Sequence, residues 1–233
     1  MSPSPSRSSD PAFGESLTRG EAERILAWLG VAPAAPTRAW VDSLLAAYVQ
    51  RVPWESASRM ARRASSPTPA DAVAWPQQFW HGAMTRGTGG TCFESNAAVA
   101  ALLAGVGIAS TLTLNDRPPI PACHTALIVD ADGERLVVDA GFPLHASVPL
   151  PVSDELRDVR TPWGTLTSRR SSADARRIVI GQHPHPVPVA FELVDEAVAP
   201  GAYAAATCAD YGDTGLFLDI VVIKKVVEGD IWR

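Results

Sequence analysis

The sequence predicts an α+β protein, an N-terminal helical bundle followed by an antiparallel, barrel-like sheet. Three observations predict it. Up to residue 105 the apolar residues recur at helical spacing between capping signals and glycine stops. Beyond it, short Val-, Ile- and Leu-rich runs are punctuated by turn residues, as in strands. The two patterns are segregated rather than interleaved, which suits helices gathered beside an antiparallel sheet better than βαβ units.

The helical half reads in order. Residues 1–16 are rich in Ser and Pro with few apolar side chains, so a disordered tail is expected. Thr18 and Glu21 fit a capping box ahead of a helix over 22–29, which Gly30 stops. Pro33 and Pro36 bracket a linker. Thr37 then caps a second helix with Val41, Leu44, Leu45 and Tyr48 on one stripe, closed before Pro53. Residues 65–69 form a loop, and 70–79 a weaker helix that Pro76 kinks or interrupts. Residues 93–104 are mostly Ala, Leu and Val and predict a buried helix ended by Gly105. Of Trp40, Trp54, Trp75 and Trp80, most belong to the core, with Trp54 and Trp80 the candidates to line an aromatic cleft.

In the second half, 108–114 predicts a strand, 115–121 a loop and 124–139 a hairpin turning at Asp132-Gly133. Residues 148–152 are extended but kept off a central position by Pro149 and Pro151. Further strands are expected over 178–180, 187–193 and 216–227. The expected organisation is a tail (1–16), a helical domain (17–105), a barrel-like domain (106–195) and a short C-terminal region (196–233).

The stretch that carries chemistry is R-G-T-G-G-T-C-F-E-S-N, residues 86–96. Gly87, Gly89 and Gly90 allow a tight turn and close approach of a ligand to the main chain. The turn delivers Cys92 to a helix N-terminus, where unpaired N–H groups and the helix dipole favour a thiolate. A two-residue loop at Asp132-Gly133 sets Ala131 opposite Glu134 and hence Ala126 opposite Asp139. His124 shares the face of Ala126, within reach of Asp139. Thiolate, imidazole and orienting carboxylate make a nucleophilic set. Glu94 and Asn96 read as structural groups behind the nucleophile, Glu94 anchoring the glycine turn through its N–H groups.

These residues resemble the arylamine N-acetyltransferase family, whose pattern is R-G-G-x-C-[FY]-E-x-N, a His before an apolar strand, and V-D-x-G-F-G. Here stand T-G-G-T-C-F-E-S-N, H-T-A-L-I-V from His124 and V-V-D-A-G-F-P around Asp139. Upstream, R-I-L-A-W-L-G from Arg24, A-P-T at 35–37 and V-P-W-E-S from Val52 are similar to the family's N-terminal helices and its short P-F-E-N segment. The resemblance spans roughly residues 21–151. It implies Cys92, His124 and Asp139 as a catalytic triad, a helical bundle, a barrel and a curtailed C-terminal lid. It further implies transfer of an acyl group from acetyl-CoA or another acyl thioester, through acyl-cysteine, to an arylamine or arylhydrazine. Backbone N–H groups around Gly90, Thr91 and Phe93 would hold the oxyanion, and Trp54, Phe93 and Phe142 would meet the amine. Thr88 stands where the family has arginine, with Arg86 two residues earlier as a substitute, and Pro143 replaces the last glycine of G-F-G. With the short C-terminus, these departures admit an amide synthase acting on a carrier-protein-bound chain. The triad type itself also admits an amide or thioester hydrolase.

Composition excludes other classes. A net charge of −5 opposes nucleic acid as a partner. Three cysteines without a signal peptide suggest a reducing, cytoplasmic setting, and no apolar run is long enough for a membrane span. His183 and His185, separated by proline and without cysteine or clustered carboxylates, make a poor metal site, so no metal or bound cofactor is expected. G-T-G-G lacks the G-K-[ST] ending of a phosphate loop. Cys123 should face away from His124 into the core, and Cys208 has no partner pattern. The arginines at 59, 62, 63, 176 and 177 read as solvated surface rather than a phosphate or carrier-protein contact.

Overall fold

A computed structural model of the chain describes residues 16–142, 146–184 and 189–232. The expected tail and Pro143 and His185 therefore lie outside the described residues. Helix α1 (Arg19–Leu29) starts on the predicted capping box and ends at Gly30 in the left-handed conformation, φ 81°. Helix α2 (Arg38–Arg51) is capped by Thr37 and buries Val41, Leu44, Leu45 and Tyr48. After the short β1 (Trp54–Glu55) come α3 (Ala57–Ser65), α4 (Pro69–Ala72), α5 (Pro76–Arg86) and α6 (Cys92–Gly105).

The helix expected over 70–79 is interrupted after Ala72, and Pro76 begins the next one: at N1 its missing N–H costs nothing and its fixed φ suits the first turn. Helix α3 was not foreseen: its stripe of Ala57, Met60, Ala61 and Ala64 is small, and the residue it buries is Arg59.

Strands β2 (Ser110–Arg117), β3 (Ile120–Ala131), β4 (Glu134–Val138), β5 (Val148–Pro149), β6 (Arg157–Thr161), β7 (Gly164–Arg170), β8 (Arg177–His183) and β9 (Val189–Val194) form an eight-stranded sheet. Its order is β5-β4-β3-β2-β9-β8-β7-β6 and its pairings are antiparallel. The sheet curls until its two ends approach, and Ser168 Oγ on β7 donates to the Pro149 carbonyl on β5 at 2.6 Å. The proline-bearing β5 sits at the edge, where a missing N–H is tolerated. The loop expected over 115–121 is instead continuous strand on both sides of a tight turn at Pro118-Pro119.

Side-chain alternation on β3 and β4 divides two cores. Leu127, Val129, Leu136 and Val138 pack against the helices, whereas Ala126, Ile128 and Val137 face the barrel interior with Ile178, Ile180, Phe191 and Leu193. Both faces of this hairpin are buried, which is why it is so uniformly apolar. Helix α7 (Pro200–Ala209), also not foreseen, packs Tyr203 against Phe93 of α6. Of the long strand expected over 216–227 only β10 (Ile223–Val227) forms, pairing with β1 and with β11 (Asp230–Trp232). Among the described residues no helix is long and apolar enough to cross a membrane.

Candidate active site

The hairpin geometry that places His124 and Asp139 together follows from one turn. Ala131 pairs with Glu134, and Asp132 and Gly133 take φ of 51° and 78°. Both positive values mark the primed turn that matches strand twist. The register Leu127↔Val138 then leaves Asp139, just past β4, on the face of Ala126 and His124. His124 Nε2 lies 2.7 Å from Asp139 Oδ2, and both residues are buried. The other carboxylate oxygen, Oδ1, accepts the N–H groups of Gly141 (2.8 Å) and Phe142 (2.8 Å) and the Asn96 amide (3.0 Å). These donors fix the carboxylate plane and, through it, the imidazole.

Helix α6 is bolted to this hairpin. Asn96, fully buried, donates through Nδ2 to the Thr125 carbonyl at 2.7 Å as well as to Asp139, and its Oδ1 accepts the Ala140 N–H at 3.0 Å. Thr125 Oγ1 donates to the Cys92 carbonyl at 3.1 Å. A methyl group at Gly141 would collide with Cys92 Cα, so only glycine lets the Asp139 turn close over the start of α6. As a result Cys92 Sγ lies 3.7 Å from the carbonyl oxygen of Cys123, the neighbour of His124. With Nε2 engaged by Asp139, Nδ1 is the ring nitrogen of His124 left outside that pair.

The thiol does not behave as a helix N-terminus alone predicts. Burial pushes the Cys92 thiol well above its ordinary range; the Asp210 and Asp139 carboxylates push the same way, while the Arg59 guanidinium pulls it down. Cys92 is almost entirely out of water, and burial is the largest of these effects.

The glycine turn is built against its own chain rather than around a ligand. A side chain at Gly89 would strike the Pro53 carbonyl, and one at Gly90 would meet Glu94. Glu55, which the sequence left without a role, anchors the turn by accepting the Gly89 N–H at 3.0 Å. Glu94, expected in that role, instead accepts from Arg62, the Tyr211 hydroxyl and the Ala74 N–H.

Arg59 is entirely buried, not solvated. Its Nη1 reaches Thr91 Oγ1 at 2.6 Å and Asp210 Oδ2 at 2.6 Å. Arg62 and Arg63 are likewise engaged inward, with Glu94 and with the Tyr211 carbonyl. Arg86, offered as the substitute for the arginine absent at Thr88, is exposed at the end of α5. Arg176 is solvated as expected, whereas Arg177 pairs with Asp116 and Glu192 between strands.

The predicted aromatic residues separate. Trp80 is core, its Nε1 donating to the Ala98 carbonyl at 2.9 Å. Phe93 is buried against Tyr203, so its ring is not available to an amine, although its N–H remains in the first turn of α6. Trp54 and Phe142 stay half-buried, and Phe142 meets His124 edge-on with ring centres 6.4 Å apart. Lys224 Nζ lies 5.3 Å from the Trp54 ring centre and 5.7 Å from that of Phe142. Two further rings had no sequence signal: Phe217, edge-on to Trp54 at 5.1 Å, and the barrel-core Phe191, 4.5 Å from His124. Cys123 is half-exposed rather than core, and Cys208 packs beside Tyr211. Among the described residues no cluster of metal-binding side chains occurs.

A family model described as N-acetyltransferase matches residues 40–179, more than half of the chain. The fold is shared with the arylamine N-acetyltransferase of Mycobacterium abscessus (18% identity, TM-score 0.73, covering 89% of this chain and 75% of that one). It is shared too with the Salmonella typhimurium enzyme (16%, TM-score 0.73, 92% and 78%) and with that of Mycobacterium marinum in complex with CoA (17%, TM-score 0.72, 89% and 78%). No curated protein matches the chain in sequence. On the match over residues 40–179 and the shared fold, the chain belongs to the arylamine N-acetyltransferase family.

Proposed function

We propose that the protein transfers an acetyl group from acetyl-CoA to an aromatic amine through an acyl-Cys92 intermediate, with His124 and Asp139 completing the triad. The observation that carries this is the His124–Asp139 pair, locked by Asn96 and Gly141 to the helix that begins with Cys92. The CoA complex of the M. marinum relative supports a CoA thioester as donor.

Each step conserves atoms and charge. His124 Nδ1 takes the Cys92 proton as the sulfur attacks the thioester carbonyl, since a thiol held protonated by burial must lose its proton in concert with attack. First-turn N–H groups of α6, Phe93 among them, stabilise the oxyanion, the role expected of the turn at Gly90 and Thr91. The C–S bond to CoA breaks and the departing thiolate takes the proton from His124. An amine then attacks the acyl-cysteine and gives its proton to His124, and Cys92 leaves as thiolate and is reprotonated. Asp139 keeps the imidazole oriented and compensates its charge while it carries the extra proton. The half-buried Phe142 ring edge-on to His124 suits a flat aromatic amine.

The test is intact mass spectrometry of the protein with acetyl-CoA beside Cys92→Ala, followed by aromatic amine. One acetyl group gained only by the parent, and discharged to the amine, is the expected result. Discharge to water alone would favour a hydrolase. A reactive Cys92 with no adduct from acetyl-CoA would move the donor to carrier-bound thioesters. No adduct together with an inert thiol would defeat the acyl-cysteine reading.

A further inference from the structure

We propose that Arg59 is a positioning residue of the acyl-transfer centre, held by Asp210 at the end of α7 so that it fixes Thr91 and keeps a permanent cation behind Cys92. The proposal rests on the acyl-cysteine reading and deepens it.

A guanidinium with no exposure to water is costly unless its charge is paired. Here Asp210 supplies both a carboxylate oxygen at 2.6 Å and its own carbonyl, and the Tyr211 ring lies 4.4 Å from the guanidinium carbon, while the buried Nε makes no hydrogen bond. A site serving only to fill space would be satisfied by an apolar side chain. What the cation adds is its grip on the residue before the nucleophile. Thr91 occupies the N-cap of α6, where a threonine hydroxyl ordinarily accepts a first-turn N–H. Its side chain makes no such bond, and its hydroxyl instead accepts Arg59 Nη1 at 2.6 Å. The first turn of α6, beginning at Cys92, is thereby left uncapped by its own threonine.

The charges around Cys92 fall into two buried pairs. From β3 and the turn after β4 come His124 and Asp139; from α3 and the end of α7 come Arg59 and Asp210. The remaining titratable groups around it are Cys123 on β3, Tyr203 on α7, Glu94 on α6 with its partner Arg62, and Tyr211. Asp210 opposes a thiolate at Cys92 and Arg59 favours one. The end of α7 and the segment after it thus reach the surroundings of Cys92 through the Arg59–Asp210 ion pair and through Tyr211.

The experiment is the pH dependence of Cys92 alkylation by iodoacetamide in the full chain, read by peptide mass to separate it from Cys123 and Cys208. It compares Arg59→Gln, Asp210→Asn and the double variant, each checked for folding by circular dichroism. Removing the cation should move the profile up by about one pH unit, about tenfold slower alkylation at fixed pH, and removing the carboxylate should move it down by about as much. The double variant, with no charge left unpaired, should fall between them. Opposite signs support the proposal, since a purely structural pair would slow or spare both single variants alike. Shifts of the same sign, or none, overturn it. If Arg59→Gln does not hold its fold, Asp210→Asn decides alone: a downward shift supports, and an unmoved or upward profile overturns. A parent protein whose Cys92 gains no acyl group from any acyl thioester would instead defeat the acyl-cysteine reading on which this one stands.

Discussion

Replacing Asn96 by alanine tests how the site is held together. The side chain spans the nucleophile's helix, β3 and the Asp139 turn, through bonds to the Thr125 carbonyl, Asp139 Oδ1 and the Ala140 N–H. Truncation leaves the Thr125 carbonyl and the Ala140 N–H buried without this partner, at roughly 1–3 kcal/mol for each orphaned group. It also removes a charge-assisted bond to Asp139, worth roughly 1.5–3 kcal/mol. These terms share one site and relax together, so about 3–5 kcal/mol is expected rather than the full sum. That is a large part of the ~5–15 kcal/mol a domain possesses. For a chain of this length it corresponds to a loss of about 10 °C in Tm. Urea unfolding with an unchanged m-value measures the first quantity directly. Acylation of Cys92, assayed where the variant is still folded, should fall by about 100-fold, because the Asp139 turn is then free to shift against α6. A variant within about 1 kcal/mol of the parent that acylates at the parental rate would refute the claim that Asn96 clamps the site.

Two further outcomes follow from the same geometry. Gly141→Ala places a methyl group against Cys92 Cα and 2.9 Å from Asn96 Nδ2. It should cost about 1–3 kcal/mol by overpacking and abolish the acetyl adduct, so an adduct formed at the parental rate would contradict the packing argument. Because burial raises the Cys92 thiol, the folded state holds that proton more tightly than the unfolded one. The stabilisation this provides is complete below the unfolded thiol's pKa of about 8.5 and is lost as pH rises above it. The stability difference between the parent and Cys92→Ala should therefore be flat from about pH 6 to 8 and decline above, by at most about 1.4 kcal/mol per pH unit. Urea unfolding of both proteins across that range measures it, and a flat difference to about pH 10 would tell against the buried thiol.

Where local rules act, the sequence was enough. The Thr18–Glu21 capping box, the Gly30 stop and the Asp132-Gly133 turn are short-range devices, and each formed as its residues dictate. The hairpin turn is worth most, because period-two alternation carries its register from Ala131 to His124 and Asp139 without further information. Helices α3 and α7 were illegible for the opposite reason. α3 buries an arginine rather than its small apolar stripe, α7 is small and apolar around most of its surface, and both are held by partners remote in sequence, α3 by Arg59, Arg62 and Arg63 and α7 by Tyr203.

The sequence by itself determined the order of helices and strands, the turn that pairs His124 with Asp139 and the helix that begins with Cys92. The tertiary structure alone decided what surrounds them: that Glu55 rather than Glu94 anchors the glycine turn, that Phe93 belongs to the core, and that Arg59 is buried beside Asp210. The physical reason is range. Caps, turns and alternation are set by neighbours a few residues apart, whereas desolvation and ion pairing depend on groups brought together from distant parts of the chain, and those govern the Cys92 thiol.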